Sequence, residues 1–361
     1  MTSPTADVPL QVLAGPRTHG VVEYAAQLAA ALGARTLVGD ADVLDGPVPD
    51  GPVHVHFTER LLGPTAATSV RRVVGLCHRA PTTVTLHDVP QPWASEERVC
   101  AYAEVVHAAA GWAVSSHHEA DLLRRALARV GADHDLPPGT VVHLPVVGHP
   151  VVGLPVVGHG ERPAARPGPE GPATLAALGF VYPDKGHREL LQAATELRAR
   201  GREVDVVCLG SPVPGHEDLL DELHRRARAG GVGLTVTGWL PDDELAVAMA
   251  RVGVPVSGHR HLSASASVNR WLAVGRRPLL LDGPYAREMD ALRPGAHVLH
   301  DDAGLVPALE RALDDPASTW LPDGVVPAPD LAAAARQYAA WWASVHRTVA
   351  DPVQPVFVPF P

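Results

Sequence analysis

Between Thr174 and Leu281 the chain reads as a strand ending in Leu178-Gly179, the turn Tyr182-Pro183-Asp184-Lys185-Gly186 and a helix. Strand Val204–Leu209 and Gly210 follow, then strand Leu234–Thr237 and Gly238-Trp239-Leu240. A polar run, His261-Leu262-Ser263-Ala264-Ser265-Ala266-Ser267-Val268-Asn269-Arg270, feeds Trp271–Gly275. Apolar strands separated by helices of this length argue for a parallel sheet with helices on both faces. Lys185 is then a point charge at the C-terminal end of a strand, where open α/β sheets bind ligands. The serines at 263, 265 and 267 precede a helix, so amide and hydroxyl groups there form a candidate anion nest. The expected helices are His187–Arg200, Glu217–Ala229, Asp243–Ala250, Asn269–Gly275 and Tyr285–Leu292.

The same alternation runs back to the N-terminus. Val8–Leu13 reads as a strand, Gly15-Pro16-Arg17-Thr18-His19-Gly20 as a turn and Val21–Leu32 as a helix. Strands are expected at Val53–Phe57, Thr82–Leu86, Trp112–Val114 and Val141–Val146, and helices at Thr65–His78 and Glu96–Ala110. Ser116-His117-His118-Glu119 matches a capping box opening a helix that runs to about Val130. Gly20 leaves room for backbone to approach an anion, towards which the helix from Val21 would point its positive end. His54 and His56 share one strand face, but with no carboxylate or cysteine nearby they read as core or edge histidines, not a metal pair. His259 and His261 flank the polar loop and likewise lack metal-ligand spacing.

The alternation breaks at Gly148–Pro172, where a short Val-Val-Gly echo precedes a Pro-, Gly- and Ala-rich stretch read as a linker. The chain therefore divides into residues 1–160, a linker at 161–172, residues 173–328, a helix at 329–350 carrying Tyr338, Trp341 and Trp342, and an extended tail at 351–361. Two nucleotide-type domains imply a ligand in the cleft between them. The length of 361 residues exceeds the ~100–200 of one domain.

A net charge of −10 argues against nucleic acid or an anionic membrane as partner. No apolar run reaches the ~18–20 residues of a membrane span, so no integral membrane contact is expected. The three dispersed cysteines, Cys77, Cys100 and Cys208, suit a reducing compartment, and with no signal-peptide pattern the expectation is cytoplasmic. A Rossmann dehydrogenase is disfavoured, because residues 15–20 do not spell G-x-G-x-x-G.

Taken in order, these segments resemble a GT-B glycosyltransferase of the retaining, nucleotide-sugar-dependent family 4 type. The likeness rests on Gly15–Glu23, Val53–His56, Thr85–Asp88, Ala113–Ser116, Leu178–Gly186, Gly210, Val236–Leu240, Ala250–Ser257 and Leu272–Gly275. It implies two Rossmann-like domains facing a cleft, with the C-terminal helix crossing back to the first. It implies transfer of a sugar, with retention, from a nucleoside-diphosphate sugar, as substrate and with no further cofactor, to an acceptor that is a small molecule, a glycan or a protein; since the sequence shows no metal-ligand cluster, metal independence is expected. By position it makes His87 and Lys185 catalytic, and Gly20, Lys185, Ser265 and Ser267 the donor-phosphate contacts. It assigns Ser263, Asn269 and Arg270 to the sugar or ribose, and Gly238, Trp239 and Leu240 to the base. The chain departs from the family where a phosphate-binding Arg falls at Phe180 and where two acidic residues fall near Leu262 and at Arg270. The expected compensation is Arg270 replacing the charge absent at Phe180. The alternative is a degenerate member that binds a nucleotide or glycan, or scaffolds a partner, without transfer.

Overall fold

The structure, a computed structural model, describes residues 8–48, 50–59, 61–148 and 173–350. The linker at 161–172 and the tail at 351–361 lie outside the described residues. The chain forms two compact units. One comprises Met1–Pro145 with Pro329–Pro361, the other Val146–Ala328. The division falls after Pro145, ahead of the boundary at 160 expected from sequence. Among the described residues no helix is long and apolar enough to cross a membrane.

In the first unit the strands are β1 (Leu10–Ala14), β2 (Thr36–Gly39), β3 (Val53–Phe57), β4 (Thr82–Leu86), β5 (Gly111–Val114) and β6 (Gly139–Val141). They form one sheet in the order β2-β1-β3-β4-β5-β6, with every pairing parallel. The helices α1 (Gly20–Leu32), α2 (Ala66–Cys77), α3 (Glu96–Ala108) and α4 (His117–Arg129) connect them. Their starts are set locally: Thr65, Ser95 and Ser116 each accept a hydrogen bond from the backbone N–H three residues on. The capping box at Ser116 is present in modified form. Glu119 N–H donates to Ser116 Oγ at 2.9 Å, and the Glu119 carboxylate reaches back to Ser115 N and Oγ. The strand expected at Val141–Val146 is instead Gly139–Val141, because its short partner β5 supports only the register Trp112↔Gly139 to Val114↔Val141. Edge strand β2 escaped sequence reading, since its half-exposed TLVG has no apolar run.

The last helix, α11 (Leu331–Ala350), belongs to this unit. It packs Tyr338, Trp341 and Trp342 against Leu28, Ala113 and Val142. A Trp pair at helical spacing here serves burial of aromatic area.

In the second unit β7 (Ala173–Leu178), β8 (Val204–Leu209), β9 (Leu234–Val236), β10 (Val254–Ser257), β11 (Leu279–Leu281) and β12 (Val298–His300) form a parallel sheet in the order β12-β11-β10-β7-β8-β9. The helices are α5 (His187–Ala199), α6 (Glu217–Ala229), α7 (Asp242–Arg251), α8 (Ala266–Ala273), α9 (Pro284–Leu292) and α10 (Leu305–Asp314). Helix α8 starts before the expected Asn269, because Ser265 caps it by accepting from Val268 N at 3.1 Å. From β7 the chain winds first towards β9 and then, from β10, towards β12. The strand order reverses between β7 and β10, and in open α/β sheets such a switch point opens a ligand crevice at the strands' C-terminal ends. In the first unit the reversal lies between β1 and β3.

Candidate active site

Each unit presents expected site residues at the C-terminal ends of its strands. In the second unit, β7 ends at Leu178 and the chain turns through Gly179 and Asp184, both at positive φ (102° and 66°), before Gly186 (φ 90°) opens α5. Two glycines are required sterically. A Cβ on Gly186 would overlap the Gly258 backbone, and one on Gly210 would overlap Gly179. The loops after β7, β8 and β10 are thereby pressed together.

Lys185 sits at this junction and is only 7 % exposed. Among the described residues no carboxylate or hydrogen-bond acceptor pairs with its ammonium, which lies over the Tyr182 ring, 5.5 Å from its centre. Burial pushes its pKa down to about 8. The point where a Gly179 Cβ would stand lies 2.9 Å from Lys185 Nζ and 4.0 Å from Ser267 Cβ, so the ammonium and the start of α8 border one space. Ser267 Oγ meets Ser265 Oγ at 3.0 Å. Lys185, Ser265 and Ser267 are thus brought together, and Ser263 lies two residues before the cap.

Two expected contacts are placed differently. Asn269 is buried and its Oδ1 accepts from Arg293 Nη1 at 2.7 Å, because its position on α8 faces the protein interior. Arg270 pairs with Asp242 at 3.1 Å. Phe180, at the position expected to lack a charge, stands 61 % exposed. At the end of β9, Thr237 Oγ1 accepts from Gly210 N at 3.1 Å and donates to the Gly238 carbonyl at 2.9 Å. Trp239 follows, 74 % exposed, beside Leu240.

Two histidines that sequence reading left out of the site belong to the same neighbourhood. His187, the first residue of α5, is buried with Nδ1 3.5 Å from Cys208 Sγ. His259 follows β10, and its Nδ1 lies 3.0 Å from Ser257 Oγ and its ring 6.3 Å from Tyr182. Burial first, then Lys185, depresses both, His187 to about 4. The signal available in sequence was positional: His259 follows its strand as Lys185 follows β7, but which strands adjoin is a tertiary fact.

In the first unit His87 directly follows β4, held by its N–H to Phe57 O at 2.8 Å and by Tyr102 OH donating to its carbonyl at 2.7 Å. Its Nε2 meets His56 Nδ1 at 3.1 Å, and the rings stack. His56 Nε2 is buried without a partner. A proton on His56 Nδ1 completes the bond and leaves only a lone pair orphaned, the less costly arrangement. His87 is then an acceptor at Nε2 and carries its proton on Nδ1. Burial pushes His87 down to about 4 against the opposing pull of Asp88, so the ring is neutral. His54 is spent internally, bonding Thr83 at 2.8 Å and Thr85 at 3.0 Å, and Thr85 meets Tyr338 OH at 2.8 Å. Gly20, the first residue of α1, has open space around its Cα; the conformational need in that loop falls on Gly15, at φ 110° with Leu61 against it.

Structural comparison adds relatives by shape. The Anabaena protein HepE, solved with UDP, superposes with a TM-score of 0.59 over 96% of this chain and 99% of its own, at 15% identity. The trehalose-6-phosphate synthase of Burkholderia multivorans gives 0.59, over 93% and 78%, at 15% identity. The sucrose-phosphate synthase of Thermosynechococcus elongatus gives 0.58, over 95% and 98%, at 14% identity. The chain has the GT-B fold. No protein-family model and no curated protein sequence matches it.

Proposed function

We propose that this GT-B chain is a glycosyltransferase that moves a hexosyl group from a nucleoside-diphosphate sugar to an acceptor, with retention. The observation that carries the reading is Lys185, a residue more than nine-tenths buried whose ammonium has no carboxylate partner among the described residues, at the switch point of a parallel sheet. Removing a cation from water without a counter-ion is costly, and a site retains such a group where an anion arrives to meet it. In glycosyl transfer from a nucleoside-diphosphate sugar the departing diphosphate gains negative charge in the transition state. A preorganised ammonium in a low-dielectric setting stabilises that charge more than it stabilises the bound donor. Ser265 Oγ accepts from Val268 N and shares a hydrogen bond with Ser267 Oγ, and the arrangement in which Ser265 donates makes the Ser267 proton available to a phosphate oxygen. Trp239, exposed beside the Gly238 turn, offers the base a stacking face. HepE has also been solved with UDP-glucose, which supports this donor class.

A second reading, binding without transfer, draws on the segment 262–270, which contains no acidic residue, and on the pairing of Arg270 with Asp242 and of Asn269 with Arg293. One experiment separates the readings. Thermal unfolding with UDP, GDP, ADP and TDP tests binding, and incubation with the matching sugar donor tests slow release of sugar to water. Stabilisation with release supports a transferase, and stabilisation without release supports the second reading. No stabilisation by any of the four refutes both. Lys185→Ala is expected to lower turnover by about 10²-fold or more.

A further inference from the structure

One cation is a sparse complement for a diphosphate, and the charge around Lys185 is unusual in kind. The Gly186–Gly258 backbone contact brings the residues on either side, Lys185 and His259, to one junction from paired strands β7 and β10. Tyr182 lies beside both, 5.5 Å from the ammonium and 6.3 Å from the imidazole. The groups facing His259 are Lys185, His187 and Tyr182 from the loop and start of α5, and Ser257 from β10. None is a carboxylate. Arg260, next in sequence, is exposed and turned to Glu189 and Asp302. Ser257 holds His259 by Nδ1, and the other ring nitrogen has no hydrogen-bond partner among the described residues.

We propose that His259 is the second cation of this anion site, taking up a proton when the diphosphate of a nucleotide sugar docks beside Lys185. The inference rests on the donor reading above and extends it to a residue and a proton. In the empty site, burial and the neighbouring Lys185 keep the imidazole neutral, since a second positive charge there is unfavourable. A docked diphosphate reverses the sign of the local field. The imidazolium then donates one N–H to the Ser257 hydroxyl and turns the other to a phosphate oxygen. A reserve cation of this kind neutralises the ligand without burdening the empty protein with two buried charges.

The test is titration calorimetry of the full chain with UDP-glucose at pH 6.5 in two buffers of different ionisation enthalpy. A sugar nucleotide is the suitable probe because both its phosphates are diesters that do not titrate near neutrality. At this pH Lys185, held at about 8, is already charged and contributes almost no uptake. The expected result is uptake approaching one proton per ligand, with affinity rising up to about tenfold for each pH unit of acidification. His259→Asn, which retains a hydrogen-bonding group for Ser257, should abolish the uptake, whereas His187→Asn should keep it. Binding without uptake, or uptake unchanged in His259→Asn, overturns the inference and leaves the donor reading standing. No binding of UDP-glucose, GDP-mannose, ADP-glucose or TDP-glucose overturns both. If His259→Asn does not fold, His259→Gln takes its place, and loss of the uptake in His187→Asn likewise overturns the inference.

Discussion

Replacing Lys185 by methionine should stabilise the empty protein while removing its response to nucleotide. The two side chains have similar length and apolar stems, so the change deletes the charge and little packing. Folding lowers the Lys185 pKa from 10.5 to about 8. At about 1.4 kcal/mol per pH unit, this is a cost of about 3 kcal/mol for carrying the buried charge near neutrality. The sign follows from proton counting. Below pH 8 both states hold the proton and the whole cost stands. Between about 8 and 10.5 the folded state has released a proton that the unfolded state keeps, so stability rises with pH and the cost disappears. Urea unfolding of the two proteins should therefore show Lys185→Met more stable by up to about 3 kcal/mol at pH 7.5, with the gap closing towards pH 10.5. In the same variant the thermal shift with nucleoside diphosphate should be lost. A variant less stable than the parent at pH 7.5 would refute the argument, because the ammonium would then have a structural partner.

The buried histidines of the first unit set an acid limit. His54, with no exposed surface, is held near 3 by burial, below its unfolded value of 6.5, so its contribution is full above pH 6.5 and is lost as pH falls towards 3. At pH 5 the loss is about 2 kcal/mol, visible as a falling urea midpoint of the unit containing Trp341 and Trp342; a flat midpoint from pH 7 to 5 would contradict the burial argument. Gly179→Ala places a methyl 2.9 Å from Lys185 Nζ at φ 102°, and should weaken binding of nucleoside diphosphate by about tenfold or more as the ammonium is displaced; unchanged affinity by calorimetry would remove Lys185 from the site. Trp239→Ala should cost UDP about 1–3 kcal/mol of stacking yet leave inorganic pyrophosphate unaffected; equal losses for the two ligands would place the indole away from the base. Transfer activity should survive exhaustive chelation of divalent cations, and restoration by added Mg²⁺ or Mn²⁺ after its loss would show a metal requirement.

The fold was legible because its determinants are local. Apolar β-branched runs such as VHVHF and VDVVCL, helices capped by Thr65, Ser95 and Ser116, and the loop glycines each specify their own segment through backbone sterics and hydrogen bonding, and their alternation leaves little besides parallel sheets. The position of Lys185 after a strand was legible for the same reason, since the Asp184-Lys185-Gly186 turn at a strand end marks itself. The short or edge elements β2 and β6 were misread because pairing with a neighbour, not intrinsic pattern, sets where they begin and end.

What tertiary structure alone decided was the fate of polar side chains. Asn269 and Arg270 are adjacent in sequence, yet a helix turns one inward to Arg293 and the other to Asp242. His54 and His56 alternate identically on β3, yet one is spent on threonines and the other orients His87. His259 gained its place beside Lys185 only because β10 pairs with β7. A hydrogen-bonding or charged group takes its role from whatever lies within about 3–4 Å, and most of those neighbours come from residues distant in the chain.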